Sequence, residues 1–285
     1  MVTPFQGDGS LNLTMAAELA EYLAASGSDA LVVCGTTGEA PVLTVREKLQ
    51  LLERVLETVG DRLPVLMGTG TYDTRTTIEL SRRAHEAGAH GLLVVTPYYN
   101  RPPQAGLLEH FRQLAESVDL PIMLYNVPSR TGCNLLPETV NQLLQCSEHV
   151  RAVKEASGSV QQMGELIRLT GGRVLVYSGD DSLTLPALAV GAQGVVSVAS
   201  HLVGPRLARM MALFGQGRVD EARDIHLELL PLFKALFVAT NPIPLKAALR
   251  LLGWPVGECR PPLYPAPAGV VEQVRRAMEQ TGILA

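Results

Sequence analysis

Lysine is scarce in this chain. The 285 residues hold 24 Lys and Arg, of which only Lys48, Lys154, Lys234 and Lys246 are lysines, so any amine chemistry has four candidates. Positive charge is not in excess either. The net charge of −4 argues against nucleic acid or an acidic lipid surface as a partner. No apolar run reaches the ~18 residues that cross a bilayer. The opening Met1–Phe5 stretch lacks the basic-then-apolar order of a secretory signal. Cysteine is limited to Cys34, Cys133, Cys146 and Cys259, far apart and in no Cys-x-x-Cys pair. Free thiols in a reducing cytoplasm are expected rather than a disulfide framework. Several motifs are missing as well. Gly68–Asp73 lacks the third glycine of a dinucleotide-binding turn, there is no Gly-x-Ser-x-Gly elbow, and His85 and His90 are spaced i, i+5 rather than the i, i+4 of a zinc-binding helix. Asp180–Asp181 reads as loop capping rather than a hydrolytic pair. No metal and no organic cofactor is implied.

What remains is a 47% hydrophobic, 18% charged composition, that of a folded globular chain. Its dominant pattern is a short apolar run, a turn, then a longer amphipathic segment, repeated. The runs are Ala30–Cys34, Val65–Met67, Gly91–Thr96, Ile122–Tyr125, Val150–Lys154, Val174–Tyr177 and Gly194–Val198. Continuous rather than alternating hydrophobicity suits parallel strands covered on both faces. Helical patterns lie between them, among them Thr14–Ala25 with Thr14 as a possible N-cap. Thr44 and Glu47 form a capping-box pattern ahead of an apolar stripe through Leu49, Leu52, Val55, Leu56 and Val59. Gly27, Gly60, Gly88, Gly171 and Gly191 sit where left-handed C-caps are expected. With Val2–Phe5 as a further strand there are eight β units. A closed (β/α)8 TIM barrel and an open doubly wound sheet both fit, and the count favours the barrel. After Gly217 the alternation stops, and Arg218–Thr240, Pro244–Leu252 and Pro267–Gln280 read as helices. The expected division is a barrel over residues 1–217 and a C-terminal helical extension over 218–285.

Functional groups of a barrel collect at the C-terminal ends of its strands. The second strand runs into Gly35-Thr36-Thr37-Gly38-Glu39. This is either a small-anion or carboxylate site made of hydroxyls and open backbone amides, or an ordinary turn capped by threonine. The fourth ends in Tyr98-Tyr99-Asn100 and the fifth in Tyr125-Asn126, phenols that serve packing or a proton relay. In the sixth, Val150, Ala152 and Lys154 share a face. If that face points inward, Lys154 stands among apolar neighbours near the rim, where burial disfavours the ammonium and frees the nucleophilic amine. Its alternative, a surface pair with Glu155, is awkward because Glu155 lies on the other face of the strand. Lys48 reads as solvated, while Lys234 and Lys246 read as residues of packing helices.

Gly35–Glu39, Tyr125–Gly132 and Val153–Gly158 make the chain resemble the dihydrodipicolinate synthases, within the pyruvate-dependent class I aldolases. The resemblance covers essentially the whole chain, and the combination of Tyr98–Pro102 with Ser129–Gly132 narrows it to the synthase. It implies that Lys154 forms a Schiff base with pyruvate, whose enamine attacks aspartate semialdehyde in the diaminopimelate route to lysine. It further implies a relay of Tyr125, Thr36 and Tyr99. Thr36 and Thr37 would hold the pyruvate carboxylate, Arg130 the semialdehyde carboxylate, and Gly179 and Val196 would line the pocket. A cytoplasmic homotetramer, a dimer of dimers with Tyr99 crossing into the partner's site, is implied too. Two rivals stand beside this reading. One is another pyruvate aldolase, such as an N-acetylneuraminate lyase or a keto-deoxy-sugar acid aldolase, against which Arg130 argues. The other is a non-catalytic carboxylate-binding paralogue, against which the retained Lys154 argues.

The chain departs from the family pattern in two places. Relatives carry several more residues ahead of Val2, including the start of the first strand, so either that strand is short or the start of the chain is misassigned. Lysine-inhibited relatives tend to carry histidine, asparagine and glutamate at the positions of Val45 or Lys48, Tyr72 and Thr76; here the glutamate and histidines are missing, although Tyr98 is kept. An ammonium effector would lose its carboxylate and meet Lys48. Lysine is therefore expected to inhibit weakly or not at all in a coupled assay, and strong inhibition at micromolar lysine would contradict this.

Overall fold

The computed structural model describes residues 1–284. In chain order the elements are α1 (Leu13–Ala25), β1 (Leu31–Val33), α2 (Val45–Val59), β2 (Val65–Gly68), α3 (Thr74–Glu86), β3 (Gly91–Val95) and α4 (Gln104–Ala115). Then come β4 (Ile122–Asn126), α5 (Pro128–Thr131), α6 (Pro137–Cys146), β5 (Val150–Glu155), α7 (Val160–Thr170), β6 (Leu175–Ser178), α8 (Thr184–Ala189) and β7 (Gly194–Val195). Four helices follow without a strand: α9 (Ser200–Gly215), α10 (Val219–Ala235), α11 (Ile243–Leu251) and α12 (Ala268–Gln280). Internal contacts divide the chain into two compact units, one of Met1–Val65 with the chain from Val198 onward, the other of Leu66–Ser197.

The Leu66–Ser197 unit is a parallel sheet with strands paired in chain order, β2 to β3 through β6 to β7. Leu92, Val94, Ile122, Leu124, Val153 and Val176 are buried, as continuous apolar strands of a covered sheet must be. Because every pairing is parallel, all the strands end at the same edge of the unit. Helix starts are set locally. The Asp73 carboxylate caps α3 by accepting from the Thr76 N–H at 2.7 Å.

The other unit joins the two ends of the chain. At α2 the Thr44–Glu47 capping box is complete, with Glu47 Oε2 accepting from Thr44 N–H at 2.8 Å and Thr44 Oγ1 from Glu47 N–H at 3.3 Å. Helix α1 starts one residue earlier than its pattern predicts. Asn12, a better cap than Thr14, accepts from Met15 N–H. Val2–Phe5, expected as a strand, forms no ladder, only a single antiparallel bridge from Phe5 to Leu11. Pro4 has no N–H to give a ladder, the Val2 N–H donates to His201 Nε2, and the Phe5 N–H donates to Val256 O. In the second unit β7 is shorter than the expected Gly194–Val198. Four of the five expected glycine caps have positive φ; Gly60 does not (φ −65°), and a Cβ there would meet Leu56 O at 2.6 Å.

Lys48 is placed differently from the sequence reading, and Lys246, in a helix as expected, has partners that the sequence did not show. Lys48 is half-buried, and burial lowers its pKa. Lys246 does not lie along a surface; its Nζ is 2.7 Å from Glu39 Oε1 with both side chains 1% exposed, and it donates to Glu258 O at 3.0 Å. Removing one partner of such a pair leaves a buried charge uncompensated, at a cost of about 3–5 kcal/mol.

His201 is fully buried, accepting from Val2 N–H at Nε2 with Nδ1 2.9 Å from Val198 O. Burial first, then the nearby amino terminus, push its pKa from 6.5 down to about 3, and burial takes His110 down to about 4. Between those values and 6.5 the unfolded chain binds protons that the folded chain does not, so their stabilisation is complete above pH 6.5 and is lost as pH falls toward 3. The urea midpoint is expected to fall steadily from pH 6.5 to pH 4, and His201→Gln should flatten that slope. An unchanged slope in the variant would show that His201 does not carry it.

Candidate active site

Lys154 is the penultimate residue of β5, in register with Tyr125 of β4 on one side and Tyr177 of β6 on the other. Strand alternation sends Ala152 and Lys154 to one face and Glu155 to the other. Lys154 is buried, 8% exposed, and its Nζ stands 4.3 Å from the centre of the Tyr125 ring. The lysine stem runs past Gly179, directly after β6. A Cβ on Gly179 would lie 2.6 Å from Ala156 Cβ and 3.1 Å from Lys154 Cε, so the glycine is what leaves the stem its path. Gly179 N–H donates to Glu155 O at 2.8 Å, and Val196, just past β7, donates through its N–H to Ser178 O at 2.8 Å. Tyr125, Lys154, Gly179 and Val196 thus sit at the same end of four neighbouring strands.

Two further expected residues of this unit lie beyond the ends of β3 and β4. Arg130 is exposed on the four-residue helix α5, which starts with Pro128 and ends at Gly132 (φ 75°). Tyr99 follows β3, is 92% exposed and has φ 72°. Its loop is tied down by Asn100 Nδ2 donating to Tyr72 O at 2.9 Å and Arg101 Nε donating to Gly132 O at 3.0 Å. Tyr98 meets Tyr72 edge-on with ring centres 5.6 Å apart. Thr36 and Thr37 follow β1 in the other unit, half-buried in a turn closed by Gly38 N–H to Gly35 O and Glu39 N–H to Thr36 O, both at 3.1 Å. Among the described residues, no protein acceptor takes the Thr36 or Thr37 N–H. Two open amides beside two hydroxyls can bind a carboxylate.

The sequence reading missed a polar hub behind Lys154. Glu155, 1% exposed, accepts from Ser157 N–H at 2.7 Å, Asn126 Nδ2 at 2.9 Å and Gln162 Nε2 at 3.0 Å. Asn126 also donates to Asn134 Oδ1 at 2.7 Å and accepts from Leu135 N–H at 2.9 Å. Both ends of the segment that carries Arg130 are therefore fastened to the end of the lysine strand. The only sequence signal was an acid on the helix-facing side of a strand, where an acid needs several donors. A cavity of about 750 Å³ opens between Ala115–Pro121 and Cys146–Arg151, at the opposite end of β4 and β5, and contains none of these residues. The four cysteines are free, and burial raises the Cys34 thiol to about 12.

Glu155→Gln replaces one acceptor oxygen of the hub with a donor that faces donors. It is expected to cost about 1–3 kcal/mol in urea denaturation, and a loss under about 0.5 kcal/mol, the range of an ordinary surface change, would show the hub to be dispensable.

The sequence profile of the dihydrodipicolinate synthetase family matches residues 1–281. A 4-hydroxy-tetrahydrodipicolinate synthase from a Nostoc species is 52% identical over 285 residues, covering 100% of this chain and 97% of that one. The protein of the same name from Heliobacterium modesticaldum is 53% identical over 283 residues, 99% of this chain and 94% of that one. Among solved structures, the dihydrodipicolinate synthase of Cyanidioschyzon merolae with lysine bound matches with a TM-score of 0.98 at 46% identity, covering 100% and 97% of the two chains. That of Thermotoga maritima matches at 0.97 and 41%, again covering 100% and 97%. Likeness at this level gives the chain the fold of those enzymes, a (β/α)8 barrel with a C-terminal helical extension. The chain belongs to the dihydrodipicolinate synthetase family.

Proposed function

We propose that the chain is a 4-hydroxy-tetrahydrodipicolinate synthase that condenses pyruvate with aspartate 4-semialdehyde through a Schiff base on Lys154, in the diaminopimelate route to lysine. One observation carries the assignment of the nucleophile: a buried lysine amine at a strand end, set over the Tyr125 ring, with its stem in the channel left by Gly179. The amine adds to the pyruvate ketone and water leaves, giving an imine. The imine withdraws electrons from the adjacent methyl group, which loses a proton and becomes an enamine. The enamine carbon attacks the semialdehyde carbonyl, forming the new carbon–carbon bond. The amino group of the former semialdehyde then attacks the imine carbon, closes the ring and releases Lys154.

The remaining roles are read from residue type and position. Tyr125, beside the amine, shuttles protons with Thr36 and Tyr99. Thr36 and Thr37 hold the pyruvate carboxylate, a role supported by their open amides. Arg130 grips the semialdehyde carboxylate with its planar fork, and Gly179 and Val196 line the pocket. Residues 1–217 form the catalytic barrel and 218–285 the extension. Tyr99, a large aromatic left 92% exposed on a fastened loop, supports a homo-oligomer in which it enters the partner's site, a dimer or a dimer of dimers. The four free thiols support a cytoplasmic location.

Borohydride reduction in the presence of pyruvate is expected to leave one pyruvate-derived adduct by intact mass, absent from Lys154→Ala, whose kcat falls by at least ~10³-fold. An adduct that survives Lys154→Ala would overturn the mechanism. Turnover with sugar-acid aldehydes and none with aspartate semialdehyde would overturn the substrate assignment.

A further inference from the structure

We infer that Asn241 is a positioning residue for pyruvate, acting through Thr37; the inference rests on the function proposed above. Asn241, in the loop between α10 and α11, is 5% exposed, and its Nδ2 donates to Thr37 Oγ1 at 2.9 Å. A hydroxyl has one proton and two acceptor positions. With Asn241 donating into the oxygen, the Thr37 proton is left to be donated elsewhere, and an anionic carboxylate beside the Thr36 and Thr37 amides is the acceptor that chemistry suits. An amide in this position therefore decides which way the hydroxyl faces.

The turn around Thr37 has little freedom of its own. Glu39, in a left-handed conformation (φ 55°) and buried, takes the Lys246 ion pair on Oε1 and the Arg260 N–H on Oε2 at 2.9 Å. Thr3 Oγ1 donates to Gly38 O at 2.6 Å. A Cβ on Gly38 would come within 3.2 Å of both Cys34 N and Met1 O. With the backbone fastened on either side, what remains free in Thr37 is the rotation of its hydroxyl proton, and Asn241 is the side chain that sets it.

Replacement by aspartate reverses the bond. A carboxylate can only accept, so it captures the Thr37 proton and adds a negative charge beside the place proposed for another. The test uses the full-length protein and its Asn241→Asp, Asn241→Ala, Thr37→Val and Asn241→Ala/Thr37→Val variants, each checked by circular dichroism. KM for pyruvate should rise about tenfold or more in Asn241→Asp and by less in Asn241→Ala, with kcat and KM for the semialdehyde changed by no more than about twofold. In the Thr37→Val background, Asn241→Ala should add nothing, because the two act as one. Borohydride trapping of acetone, a ketone with no carboxylate, should stay at the wild-type level in Asn241→Asp while trapping of pyruvate falls. An unchanged pyruvate KM in Asn241→Asp overturns the inference. So does an Asn241→Ala effect that persists in full beside Thr37→Val, or a parallel fall in acetone and pyruvate trapping. If Asn241→Asp does not fold, the alanine and valine variants and their combination decide the question by the same criteria. Absence of any pyruvate adduct in the unaltered protein is a different failure; it removes the Schiff-base reading and this inference with it.

Discussion

Two consecutive residues of one strand, Lys154 and Glu155, point to opposite faces of the sheet, and the arrangement of this end of the sheet follows from that alternation. On one face the lysine stem needs the empty space at Gly179 and brings its amine over Tyr125. On the other, the Glu155 carboxylate gathers Asn126, Ser157 and Gln162 and so fixes the start of the segment bearing Arg130. A one-residue slip of β5 would exchange the two faces, burying an amine among donors and setting a carboxylate over the Tyr125 ring. The ladders to β4 and β6 exclude that slip.

The charges buried around the Gly35–Glu39 turn have partners. Lys246 and Glu39 neutralise each other within a nearly inaccessible space, and Arg260 adds its backbone N–H to the same carboxylate while its guanidinium meets Glu47. Both Lys246 Nζ and the Arg260 guanidinium also lie over the Phe5 ring, at 4.3 and 4.4 Å from its centre. Glu39 closes the Gly35–Glu39 turn, so these groups bear on the geometry of Thr36 and Thr37 rather than on stability alone.

The alternation of apolar runs and amphipathic helices was legible because parallel strands and their covering helices leave local periodicities. Lys154 was legible because a lysine on the apolar face of a strand is an anomaly with few explanations. Glu155, Asn241 and Lys246 were not. Each is a polar side chain whose meaning lies in partners distant in sequence, and no local pattern distinguishes a buried hub from a solvated surface group. Val2–Phe5 misled for a related reason. Its residues look like a strand, but a proline without an N–H and a histidine 199 positions away redirect the hydrogen bonds that would have formed one.

The bond from Asn241 to Thr37 closes a loop of 204 residues, and that from Arg260 to Glu39 one of 221. Contacts of such sequence separation carry the largest loop-closure entropy and form only when nearly the whole chain is available. On a ribosome, the β-strand lysine and its neighbours can be in place while the threonine turn still lacks the side chains that orient it. The turn that follows β1 is thus completed by partners more than two hundred positions later, and it gains them only after that much more of the chain has been made.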